Sequence, residues 1–139
     1  VPIIKFTTAD ILRSKLIDEG WYPAKVTEIQ GPIVSTKGDS HNFIVRYTLG
    51  DKSPAPGKII EEYFNSKAMG KMIPLVAACK GSDTSTIVDN PAEFNLDTDE
   101  ILGKELDLKV IREQYEGQWN NKAGGYLPKG KAAGVAVPF

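Results

Sequence analysis

One cysteine and one histidine are all that this 139-residue chain holds of the two residue types most often used for metal and nucleophilic chemistry. A single Cys79 excludes an internal disulfide and any multi-cysteine zinc site. A single His41 removes most histidine-based catalysis and metal binding. Long apolar runs are missing as well. The longest, Ile73 to Cys79, falls far short of the ~20 residues a membrane helix needs. Val1 is followed by no charged-then-apolar leader, so no signal peptide is expected. Together these absences point to a soluble protein of a reducing, cytosol-like compartment, with no metal, no cofactor and no membrane partner. A net excess of charge is missing too: 17 Lys and Arg face 18 Asp and Glu. What is present is ordinary globular material, 41% hydrophobic and 25% charged, which excludes wholesale disorder. The length suits one compact domain able to bury a core without staples.

The usual catalytic constellations are also absent. Gly124-Gly125 is followed by Tyr126, without the lysine and hydroxyl pair of a phosphate loop. No serine sits in a Gly-x-Ser-x-Gly turn. Asp97, Asp99 and Glu100 lack the glycine and terminal glutamate of a calcium loop, and helix capping accounts for them. Glu61 and Glu62 are neighbours on an extended segment, so they point to opposite faces and cannot act as an acid–base pair. Cys79 reads as a small core residue and His41 as a solvated loop residue. No enzyme is expected.

The near-zero net charge conceals an uneven distribution. Asp83 to Asp107 carries eight acids against Lys104 alone. Gly117 to Phe139 carries Lys122, Lys129 and Lys131 and no acid. Ile33 to Ser82 carries seven bases against four acids. Ordinary surface scatter explains this. So does a basic face, since local potential governs polyanion binding more than total charge.

Along the chain, Thr7 to Asp18 reads as a short amphipathic helix, a plain structural helix in preference to a plug or lid on the core, with Thr7 and Asp10 spaced as a capping box and Gly20 as its stop. Period-two alternation then predicts strands over Trp21–Gln30, Phe43–Leu49 and Lys58–Phe64. Gly31-Pro32 is expected to break the first. A polar loop and a Pro/Gly-rich turn separate them. Ser66 caps a helical stripe of Met69, Met72, Ile73, Val76 and Ala77, which Pro74 should kink or split in two. A one-turn helix near Thr98 follows. Lys104–Tyr115 is the clearest strand, with Gln118–Asn121 and Gly125–Pro128 as the last strand and its end. Residues 1–128 are expected to form one domain and 129–139 a flexible basic tail.

The fold class is therefore all-β or α+β. Five short strands, an N-terminal helix and a helix between strands 3 and 4 suit a five-stranded oligonucleotide-binding barrel better than an open α+β sandwich, which would give a similar string. Such a fold brings to mind single-strand binding, which needs bases to neutralise phosphates and rings to stack on unpaired bases. The candidates are Lys37, Arg46, Tyr47, Tyr63, Lys109, Arg112, Tyr115, Trp119, Lys122 and Tyr126. Core packing is the reading for Phe43, Phe64, Phe94 and Tyr22. Tyr47 shares a face with Val45, so packing and stacking both fit it. Trp119 lies in a polar stretch, Tyr115 to Lys122, without apolar neighbours. The groove is expected between the second, third and fourth strands, with the acidic 83–107 segment away from it.

Several short motifs carry a resemblance. They are Glu19-Gly20-Trp21-Tyr22-Pro23-Ala24-Lys25-Val26, Lys37-Gly38, Gly57 before the third strand, Leu102-Gly103-Lys104-Glu105-Leu106, and Glu113-Gln114-Tyr115-Glu116-Gly117 followed by Asn121. Over roughly Ile11 to Pro128 the chain resembles the phage single-stranded DNA-binding proteins of replication and recombination gene clusters. The resemblance implies an oligonucleotide-binding fold and a non-enzymatic role in host cytoplasm: coating single-stranded DNA, without sequence preference, during replication, recombination or repair. Replication or recombination proteins, and a second copy in a dimer, are the further partners it suggests. The rival reading keeps the same barrel as a protein-interaction adaptor. Many single-strand binders end in an acidic tail closed by Pro-Phe. Here Pro138-Phe139 is present without the acids, which suggests a basic tail adding phosphate contacts in place of partner recruitment.

Overall fold

A computed structural model describes residues 3–34, 40–81 and 98–134. The Thr7/Asp10 spacing does form a capping box. The Asp10 amide donates to Thr7 Oγ1 at 3.0 Å and the Thr7 amide to Asp10 Oδ2 at 2.9 Å. The helix it starts, α1, covers only Thr8–Ser14. Two turns are too few to be stable without packing; Ile11 is exposed, and Ile17, beyond the helix, enters the core. Gly20 opens a strand and does not stop the helix.

Five strands follow, β1 (Gly20–Val34), β2 (His41–Leu49), β3 (Ile59–Asn65), β4 (Glu105–Tyr115) and β5 (Gln118–Pro128). They form one antiparallel sheet in the order β3-β2-β1-β4-β5. Gly31-Pro32 does not end β1. The strand passes through it with a shift of register between Gln30 and Ile33, because a bulge absorbs what an uninterrupted ladder would not tolerate. The sheet is not laced into a barrel, since no backbone ladder joins edge strands β3 and β5 among the described residues. A side-chain cluster spans that gap instead. Glu62 on β3 accepts a hydrogen bond from the Tyr47 phenol at 2.7 Å and another from the Tyr126 phenol on β5.

Between β3 and β4, Pro74 splits the predicted helix in two: a 3-10 segment (Ser66–Met72), then α2 (Ile73–Cys79). Pro74 occupies the first turn of α2, where its missing N–H leaves nothing unpaired. The cap of the 3-10 segment is Asn65, whose side chain accepts from the Lys67 amide at 3.0 Å, and Ser66 Oγ serves the His41 amide instead. Leu75 to Cys79 of α2 are all buried. They join Val26, Val45, Tyr47, Ile60, Leu106, Leu108 and Val110 in one core on the inner face of the sheet. Burial pushes the Cys79 thiol up to about 11, so it stays an unreactive core residue. The tail region starts with a 3-10 turn, Lys131–Gly134, held by the Gly130 and Ala132 amides donating to buried Asp107, each at 3.0 Å. Among the described residues no helix is long and apolar enough to cross a membrane.

Candidate nucleic-acid interface

Strand parity sorts the candidate residues onto faces. β1 stands between β4 and the β2–β3 pair, so the second, third and fourth strands do not share one groove. The outer surface instead consists of two fields on either side of β1.

The first field is the outer face of β1, β2 and β3. Glu28, Arg46 and Glu61 lie in one cross-strand row, and Gln30, Ile44 and Tyr63 lie in the next. The Arg46 guanidinium is 3.0 Å from both Glu28 and Glu61, and it also donates to Gln30 at 3.0 Å. The hydrogen bond to Glu61, with Glu28 beside it, raises the Arg46 pKa. The row thus carries one cation and two carboxylates. Tyr63 is 65% exposed, as its alternation with buried Ile60 and Phe64 predicts.

The second field is the outer face of β4, β5 and the start of β1. Trp21, Lys109 and Gly125 form one row, Ile111 and Lys122 the next, then Glu113 with Asn120 and Tyr115 with Gln118. The row is closely set: a Cβ at Gly125 would touch both the Trp21 ring and Lys109 Cβ, each at 3.4 Å. Lys122 pairs with Glu113 at 3.1 Å. Lys109 has no carboxylate partner among the described residues. Further down β4, Glu105 pairs with Lys129, whose hydrogen bond lowers the Glu105 pKa, and Asp107 is spent on backbone amides.

Past Val110 the β4–β5 hairpin leaves the body of the sheet, and residues 112–120 are all exposed. Its tip is a two-residue turn, Glu116-Gly117, with both φ values positive at 51° and 81°, the primed turn that matches strand twist. Of the polar stretch from Tyr115 to Lys122 only Glu116 and Gly117 are turn, and Trp119 sits on β5, which begins at Gln118 as expected and runs unbroken to Pro128. Tyr115 is 68% and Trp119 56% exposed. Register puts them on opposite faces, Tyr115 with Gln118 and Trp119 with Gln114.

Four candidates are committed elsewhere. Tyr47 is wholly buried and offers no ring face to a base; packing with Val45 is the reading that holds. Tyr126 is half-buried, its ring centroid 6.3 Å from that of Tyr47. Burial raises both phenols, and it raises Glu62 against the pull of their hydrogen bonds. Arg46 is held as described above. Arg112 is a clamp: Nε donates to the Ile17 carbonyl at 3.0 Å, a terminal nitrogen to Asp18 at 2.8 Å, and its amide to Glu19 at 2.9 Å. Asn121 completes the clamp by bonding both the amide and the carbonyl of Ile17. Lys37 and residues 83–97 of the acidic segment lie outside the described residues. Among the described residues no group of three His, Cys, Asp or Glu side chains converges as metal ligands would. The residue that reading by motif passed over is Trp21. Its alternation with Tyr22, Ala24 and Val26, which face inward, was the available signal.

No protein-family model matches the chain, and no curated protein matches it either.

Proposed function

We propose that the chain binds single-stranded DNA without sequence preference, as a non-enzymatic protein of the oligonucleotide-binding type serving phage replication, recombination or repair. The strand order supports that architecture. With β3 and β5 brought to either side of Glu62, it is the order of a five-stranded barrel whose last seam is held by side chains. The observation that carries the function is the projecting β4–β5 hairpin with two exposed rings, Tyr115 and Trp119, beyond the packed body. Burial usually claims residues of this size, so rings held out on a paired, regular arm are placed for contact. Stacking on unpaired bases is tolerant of sequence, because every base has a flat face. Lys122 on the arm and Lys109 at its base lie on one face to meet phosphate.

A gel shift with oligo-dT at two salt concentrations tests this. Binding should weaken as salt rises, with a slope of about −0.7 per phosphate neutralised. No shift at low salt would overturn the reading.

A second reading, a protein-interaction adaptor, is favoured by one observation. Ile3, Ile4, Phe6 and Ile11 are all large, apolar and exposed at the N-terminal end. Loss of a partner protein, with no loss of DNA binding, on changing Phe6 and Ile11 to Ser would support it.

A further inference from the structure

We infer that single-stranded DNA runs down the outer face of the β4–β5 arm onto a shelf made by Trp21, Lys109 and Gly125, and not across the outer face of β2 and β3. This rests on the single-strand reading above and assigns its path. Three observations carry it.

The first is shape. Trp21 is half-buried, with its ring set against the bare backbone of Gly125 and the stem of Lys109. A Cβ at position 125 would lie in contact with that ring, 3.4 Å from its edge, so glycine leaves this part of the aromatic surface uncovered. The second is alignment. Trp21 shares the Lys109 row, and residues 109, 111, 113 and 115 of β4 point the same way. Trp21 and Tyr115 therefore mark the two ends of one strip, roughly 20 Å long at ~3.3 Å per strand residue, with room for several nucleotides between two stacking rings.

The third is charge. On the strip, Lys109 and Lys122 flank the exposed Glu113, and the next carboxylate along β4, Asp107, is buried and turned to the Gly130 and Ala132 amides. On the β1–β2–β3 face, Arg46 faces Glu28 and Glu61, one cation against two. A polyanion is drawn to the first and repelled by the second. Lys109, without a carboxylate to leave, neutralises a phosphate at no cost of a broken ion pair.

The chain has two tryptophans, Trp21 and Trp119, so fluorescence can watch the shelf alone. In Trp119→Phe the only indole left is Trp21. Titration with oligo-dT should quench it, and Lys109→Glu should weaken binding about tenfold, the scale of one lost contact. Trp21→Phe keeps a ring on the shelf and serves as the folded control in which Trp119 reports. If unmodified protein binds oligo-dT while Trp21 emission is unchanged and Lys109→Glu binds normally, the shelf is overturned and the single-strand reading stands. If the unmodified protein does not bind at all, the reading falls and the shelf with it.

Discussion

The two outer fields of this sheet hold similar ingredients and differ in what each residue meets across the strand. On β2, Arg46 has a glutamate on either side, and the only ring nearby is Tyr63 one row away. On β4, Lys109 has an indole on one side and a glycine on the other. By residue type both fields hold a base and an aromatic, and Arg46 with Tyr63 and Lys109 with Tyr115 were candidates alike. Register decides between them: a guanidinium that already satisfies two carboxylates must break charge-assisted bonds before it can meet a phosphate. A second contrast lies along β4 itself. In its first half Leu106, Leu108 and Val110 are packed core, whereas from Glu113 on it is an exposed arm.

The sharpest way to break the contrast along β4 is to cut into each half. Leu108→Ala should cost about 2–5 kcal/mol of stability, because it opens a cavity under α2. Gln114→Ala should fall within about 0.5 kcal/mol. Urea unfolding checks both, and equal costs would mean that the arm packs on something. Next in size, Tyr115→Ala should weaken oligo-dT binding about tenfold, the scale of one stacked base, while leaving the unfolding midpoint in place. A filter-binding titration reads it.

Glu62 sharpens the seam between the two fields. Burial raises its pKa above the unfolded value, so the folded state holds the proton more tightly. Stability should therefore be greater below the ordinary carboxylate range, and fall as pH rises through that range to the raised value. The phenols of Tyr47 and Tyr126 and the charge of Lys122 face the group and limit the effect. Glu62→Gln should flatten this part of the stability–pH curve, as urea midpoints at pH 4 and pH 7 would show. An unchanged slope would place the titrating group elsewhere. The smallest effect is expected on the first field, where Arg46→Ala should change oligo-dT affinity less than about twofold, since its charge is already answered.

Much of the fold was legible because alternation is a local signal. The inward sets Ile60/Phe64 and Leu106/Leu108/Val110 are buried as period two predicts, and Glu61 and Glu62 do part to opposite faces, one to Arg46 and the other to the two phenols. The Pro74 division of the helix and the Thr7 box followed from backbone chemistry that needs no tertiary knowledge. What escaped was whatever depends on a distant segment. β1 runs past Gly31-Pro32 because β2 pairs with it there. Arg112 looked like a phosphate contact, yet it spends its donors on Ile17 and Asp18, more than ninety residues away in sequence. Trp21 opens a predicted strand and was no candidate, and only the register that sets it beside Lys109 and near Gly125 distinguishes it.

Ultraviolet cross-linking of the full chain to oligo-dT, with the joined residues located by mass spectrometry, tests the central claim most directly. The account predicts adducts at Trp21 and Tyr115 and none at Tyr63. Adducts confined to Tyr63 on β3, or none at all at low salt, would contradict it.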